Sequence, residues 1–226
     1  MTAAEQTAVL LSLRVASVGA LASLPFAIAV AYLLARVRFP GRTVLDVAVH
    51  LPLVLPPVVT GWLLLIEFGR SGPLGAFLER AFGFTFAFRW TGAALAAAVM
   101  GFPLMVRAIR LSIEAVDRRL EQAAATLGAS RLRIFATVTL PLALPGVFAG
   151  LILGFAKAIG EFGATITFVA NIPGETQTLA TLIYNTTQDP DGAPATWRLT
   201  AIAVVIAVVA LAASEGLARG FRASTR

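Results

Sequence analysis

Five long apolar runs limit what this chain can fold into: about Val9 to Leu34, Val44 to Phe68, Gly92 to Ile113, Leu142 to Val169 and Leu199 to Leu217. Each is long enough to cross a hydrocarbon core, which takes about 20 residues of helix. The runs are rich in Ala, Gly, Val and Leu and show little period-2 alternation, so they read as helices and not as strands of a transmembrane barrel. The expected fold is an all-α integral membrane protein of five, possibly six, transmembrane helices. Of 226 residues, 58% are hydrophobic and only 13% charged, which leaves no room for a separate water-soluble catalytic domain. The longer connections agree. Gly69 to Trp90 is glycine-rich and aromatic, and Asn171 to Trp197 holds Pro173, Pro190 and Pro194, which predicts loop with at most a short interfacial helix. Residues 1–226 are read as a single transmembrane domain.

A net charge of +6 would suggest nucleic acid in a soluble protein, but its placement says otherwise. Arg36, Arg38 and Arg42 follow the first run. Arg107, Arg110, Arg118, Arg119, Arg131 and Arg133 surround the connection after the third, and Arg219, Arg222 and Arg226 end the chain. The alternate connections hold Arg70, Arg80, Arg89 and Arg198. Because Lys and Arg are retained on the cytoplasmic side of short loops, the N-terminus is expected outside and the C-terminus in the cytoplasm of a multi-pass plasma (inner) membrane protein. No nucleic-acid partner is implied. The first run is too long for a signal-peptide core and leads into a basic flank, so it is read as a mature span.

The absence of cysteine excludes disulfides and thiol chemistry, and a lone His50 provides no histidine cluster. No cofactor or metal is expected on this chain. There is no Gly-x4-Gly-Lys-Ser/Thr loop, so any ATP and Mg must be handled by a partner. Lys157 is the only lysine, and no paired aspartates or His-Glu-x-x-His pattern occurs, so no enzymatic constellation is present.

The connection after the third run, about 114–140, is the most informative. From Arg119 to Leu127 every residue but Thr126 is a strong helix former, and Gly128 can take the left-handed conformation that ends a helix. Ala123 and Ala124 leave one side of this short helix without bulk. A small-residue face with a glycine stop suits docking into a groove of another protein; the alternative is an ordinary solvated connector.

Gln122-Ala123-Ala124, Gly128, Val138 and Leu140-Pro141 at this spacing resemble the EAA loop of the permease subunits of bacterial ABC importers. The match departs at its first position, where Gln122 stands in place of glutamate and Glu121 precedes it. The resemblance runs over nearly the whole chain and narrows within that family. Leu51 to Gly61 with Pro52, Pro56 and Pro57, Gly160-Glu161-Phe162-Gly163, and Asn171 to Thr178 are similar to segments of molybdate permeases, with sulfate and tungstate permeases as close relatives. The resemblance implies a MetI-like permease fold. It further implies a coupling helix (Glu121, Gln122, Ala123, Ala124, Gly128, Leu140 and Pro141) seated in a cleft of the ATP-hydrolysing subunit. The implied assembly is a homodimer with two ATPase subunits at the cytoplasmic face and a periplasmic oxyanion-binding protein. Five or six helices per chain are few for an alternating-access path, which independently favours a path on a two-fold axis.

Polar and helix-breaking residues inside the runs are the candidates for that path. Lys157 and Glu161 lie one helical turn apart, where an unpaired charge would be costly, so they either pair structurally or lend charge to an oxyanion route. Pro52, Pro56 and Pro57 should bend or break the second run, either as a gate with Thr60 and Gly61 just beyond lining the path, or as a static kink that accommodates a neighbouring subunit. Gly160, Gly163, Ala164 and Thr165 permit either close helix packing or exposed backbone at a passage. Ser12, Arg14 and Glu67 read as interfacial, with Arg14 snorkelling, and His50 as a packing or interfacial residue. The competing class is an ion-coupled carrier working without an ATPase. Against it stand the single internal ion pair and the lack of repeats.

Overall fold

The computed structural model describes residues 1–224, and of residues 214, 215 and 217–224 only the backbone. Arg226 therefore lies outside the described residues, as do the side chains of Arg219 and Arg222. The described chain is helical throughout: α1 (Ala3–Arg36), α2 (Arg42–Val54), α3 (Pro57–Phe68), α4 (Pro73–Phe82), α5 (Trp90–Ala115), α6 (Arg118–Thr126) and α7 (Arg131–Ile134). A π-helical step, Phe135–Thr139, leads from α7 into α8 (Leu140–Ile159), followed by α9 (Gly163–Val169), α10 (Leu179–Gln188) and α11 (Ala193–Ser224).

Four stretches are long and apolar enough to cross a membrane: Ala3–Arg36, Trp90–Ala115, Arg131–Ile159 and Ala193–Ala213. The pair α2–α3 is long and apolar enough only when its two limbs are taken together, bent by 115°, and gives a fifth candidate span. The second apolar run breaks at Pro56 and Pro57, whereas α2 continues through Pro52, which does not break it. Leu55 is extended, neither Pro56 nor Pro57 can donate a backbone hydrogen bond, and α3 restarts with Pro57 at its first position. The fourth run differs from the continuous span expected. It starts earlier, at Arg131, stops at Ile159, and resumes as α9 after a break at Gly160–Phe162. The Gly69 to Trp90 connection contains a helix, α4, opened by Pro73 and closed by Gly83 at φ +63°.

The centre of the fold is a three-helix layer. α1 and α5 run parallel, as Gly19 beside Ala94, Ser23 beside Met105 and Arg36 beside Val116 show. α8 runs antiparallel to α5, with Ser112 bonded to the Ala143 carbonyl and Met105 packed on Gly154. Ala8, Ala16, Ala20, Ala27 and Ala31 of α1 and Ala93, Ala94, Ala96 and Ala97 of α5 are all buried. In lipid, apolar burial gives little drive for helices to associate, so the close approach that alanine allows supplies the dispersion energy instead. Large side chains such as Leu21, Phe26, Val205 and Val209 are exposed on the outside, as a lipid-facing surface requires.

Polar contacts fix the ends of this layer. At the start of α1, Thr2 and Glu5 form a capping box, and the buried Glu5 carboxylate also pairs with Arg198 of α11. Ser12 is buried and accepts the Leu179 N–H at 2.6 Å, tying α1 to α10. Arg14 does not simply reach toward headgroups; its guanidinium lies 3.7 Å over the Trp90 ring.

Candidate functional site

The α6 loop has the start and stop its sequence announces. Asp117 caps it by accepting the Arg119 N–H at 2.9 Å. At the other end Gly128 takes φ +82°, and the Ala129 and Gly128 amides bond back to the Ala124 and Ala125 carbonyls. That pair of bonds is a Schellman closure, which needs a left-handed residue at Gly128. No residue of α6 is buried. Gln122 and Ala123 are exposed, and Leu127 and Leu132 beyond them are 88% and 76% exposed.

The helix is nevertheless held from behind. Arg36 Nε donates to Glu121 Oε1 at 3.0 Å, and the buried Thr139 hydroxyl donates to the same oxygen at 2.8 Å. Arg36 Nη2 also donates to the Val116 carbonyl at 2.8 Å. One carboxylate therefore joins the end of α1, the α6 loop and the π step below α8. The carboxylate one place before the family pattern's glutamate faces into the chain, while Gln122 faces out. Leu140 is half-buried against the lower core and Pro141 is exposed. The wider π turn falls just before Pro141, whose ring would otherwise meet the carbonyl one α turn earlier.

At the break between α8 and α9, Lys157 Nζ donates to Glu161 Oε2 at 2.9 Å. Glu161 is buried, and its other oxygen accepts the Ala164 N–H at 3.0 Å, so it caps α9 as well as neutralising the lysine. Lys157 is half-exposed. α9 packs against α3 with almost no spacing: a Cβ on Gly61 would sit 2.5 Å from the Ala164 carbonyl oxygen, and one on Gly163 would sit 2.8 Å from Pro57 Cβ. The glycines thus serve close packing, and the two broken helices form one junction. Thr60 and Thr165 are buried in it, and Thr60 Oγ1 has no hydrogen-bond partner among the described residues.

Beyond α9 the chain turns through Ala170, a non-glycine residue at φ +61°. The Ile172 carbonyl accepts amides from Glu175, Thr176 and Gln177, while the buried Thr176 hydroxyl accepts the Ile172 N–H at 2.9 Å. This segment is a folded, hydrogen-bonded turn, not a slack loop.

The structure brings Pro57, Gly61, Gly163, Lys157 and Glu161 to one junction and places the α6 residues at the opposite end of α8. Sequence reasoning did not find Arg36, Thr139 or Ala170. Arg36 is 85 positions from Glu121, and nothing local marks the pairing. Alanine gives no sign of a left-handed backbone.

The chain matches, over residues 23–223, the family described as binding-protein-dependent transport system inner membrane component. It is 58% identical over 219 residues to the molybdenum transport system permease protein ModB of Escherichia coli (strain K12), covering 97% of this chain and 96% of that one. It is 55% identical over 215 residues to the ModB of Haemophilus influenzae, covering 95% and 94%. The sulfate transport system permease protein CysT of Salmonella typhimurium is 38% identical over 186 residues, 82% of this chain and 65% of that one. Among solved structures, the methionine ABC transporter MetNI superposes with a TM-score of 0.74 at 16% identity, covering 98% of this chain and 99% of that one. A bacterial ABC transporter that imports alginate superposes with a TM-score of 0.72 at 19% identity, covering 100% and 82%. The fold is that of ABC importer permeases, and the chain belongs to the family of binding-protein-dependent transport system inner membrane components.

Proposed function

We propose that this chain is the pathway-forming permease subunit of an ATP-driven importer that carries molybdate from outside into the cytoplasm. The observation that carries the substrate is near-complete alignment at 58% identity with a molybdenum permease, against 38% over a shorter stretch with a sulfate permease. The exposed α6, stopped by Gly128 and held from behind by Glu121, supports the proposal that it docks on a separate ATPase subunit. In the working assembly two copies of this chain meet on a two-fold axis, two ATPase subunits sit at the cytoplasmic face, and a periplasmic protein delivers the oxyanion. ATP-driven closure of the ATPases draws the two α6 loops together, and the α3–α9 junctions move with α8.

The test is reconstitution in liposomes with the ATPase and binding protein. Molybdate uptake should require ATP and both partners, and tungstate should compete better than sulfate. Flux without the ATPase would make this an ion-coupled carrier and sink the proposal. Orientation is tested on the same protein, since it has no native cysteine: a single cysteine at Thr2 should react with an impermeant maleimide from outside.

Within the junction we assign Lys157 to the path, because it is half-exposed while its partner Glu161 is buried. Lys157→Ala should lower transport about tenfold with normal amounts of assembled complex, the size expected for losing one favourable charge of ~1.4 kcal/mol at the barrier. Normal transport by the assembled variant would leave the lysine a structural role only.

A further inference from the structure

Between the end of α1 and α6 lies a cleft of about 1150 Å³, which the coupling residues Glu121 and Gln122 border on one side. Its lower wall carries Arg36, Arg38, Arg118 and Arg131, and a smaller cavity of about 230 Å³ continues it past Arg38 and Arg118 to Arg42. The two carboxylates on these walls are already committed: Glu121 to Arg36 and Thr139, Glu114 to Arg110 at 2.9 Å. Arg36 is bound to Glu121, and Arg42 bonds the Leu34 carbonyl. Arg38, Arg118 and Arg131 have no carboxylate partner among the described residues. Three guanidinium groups thus border one cleft without a counter-charge, and the guanidinium fork matches phosphate oxygens in pairs.

The upper wall has the opposite chemistry. Ala29, Tyr32 and Leu33 of α1 and Phe135 line it, with the Tyr32 and Phe135 rings in edge contact at 4.9 Å. Ala29 lies seven residues up α1 from Arg36, or about 10 Å deeper into the span at the helical rise. A soluble anion has no use for that wall, and a cytoplasmic protein surface does not reach that depth. An anionic amphiphile uses both halves.

We propose that this cleft binds an anionic phospholipid, with its phosphate held by Arg38, Arg118 and Arg131 and the first part of an acyl chain lying along Tyr32, Leu33 and Phe135. The bound lipid then touches both α1 and α6, on either side of the Arg36–Glu121 pair. The membrane's anionic lipid content thereby sets how firmly the loop is seated.

The full chain, purified in a neutral detergent, should show a rising melting temperature on titration with short-chain phosphatidylglycerol. Phosphatidylcholine with the same chains and inorganic phosphate should give no such rise. Arg38→Gln, Arg118→Gln and Arg131→Gln should each weaken the apparent affinity about fivefold, and the three together about a hundredfold, the effect of removing basic groups from an anionic-lipid contact. Arg80→Gln, on a helix remote from the cleft, should leave it unchanged. If the triple variant does not fold, the single variants decide. Equal protection by phosphatidylcholine, equal protection by inorganic phosphate, or unaltered affinity in the arginine variants overturns the proposal. So does displacement of the lipid when the ATPase subunit is added, which would give the cleft to that partner.

Discussion

At the α3–α9 contact, Gly61 is small because another backbone of the same chain already occupies the space, with the Ala164 carbonyl only 2.5 Å from where a Cβ would fall. On α6, Ala123 is small although it is exposed, and the Cβ position of Gly128 is open for at least 4 Å. The same residue types thus serve an internal contact at one end of α8 and, on the proposed reading of α6, an external one at the other. Burial tells them apart: a small residue under a neighbouring backbone is a packing requirement, and a small residue facing solvent beside a formed helix stop implies a visitor. The first should fail by unfolding and the second by losing a partner.

Four substitutions test that contrast, from the largest expected effect to the smallest. Gly61→Val forces α3 from α9 and should destabilise the chain by about 3 kcal/mol, the upper range for overpacking a tight core, seen as lost yield and early thermal unfolding in detergent. A variant of normal stability would mean that the junction is looser than its geometry says. Gly128→Asp meets no atoms and carries only a left-handed penalty of about 1 kcal/mol, so the protein should fold while the ATPase no longer co-purifies. Retained co-purification with normal transport would remove α6 as the docking element.

Glu121→Gln tests the tie that holds α6 to α1 and to the start of α8, since it keeps the size of the side chain but loses the charge that Arg36 binds. It should lower ATP-driven transport about fivefold, the factor that ~1 kcal/mol represents, while ATP hydrolysis is retained. A parallel fall in hydrolysis would point to lost docking instead of lost coupling. Leu127→Ala, at a residue 88% exposed, should leave the melting temperature unchanged and weaken ATPase binding about threefold, as a minor interface contact does. A lowered melting temperature would show that Leu127 packs within its own chain.

The sequence announced the local devices and concealed the distant ones. The start and stop of α6 were legible because a cap and a glycine act within one turn, and the break in the second run was legible because Pro56 and Pro57 lack the N–H a helix needs. The break at Gly160 was legible only as an interruption, since Lys157, Gly160, Glu161 and Gly163 stand inside a run from Leu142 to Val169 that is otherwise apolar on both sides. What ends α8 there is the Glu161 carboxylate turning to the Ala164 N–H, a choice between two local hydrogen bonds that hydropathy does not register. Lys157 and Glu161 were found as a pair by their spacing. Arg36 and Thr139, which decide where the loop's carboxylate points, are brought in only by the packing of α1 and α8.

The bend between α2 and α3 has a consequence for how the protein is made. Limbs of 13 and 12 residues are each about 20 Å long, short of the ~30 Å hydrocarbon layer, so neither enters a bilayer as a self-sufficient segment. The surface that completes α3 belongs to α9, which the ribosome produces roughly a hundred residues, or about 5–20 s, later. For that interval α3 must wait at the membrane with its glycine face uncovered. Insertion of the second span is thus a late event that depends on the fourth, and a truncation ending before α9 should leave α2 and α3 open to proteases while α1 is already embedded.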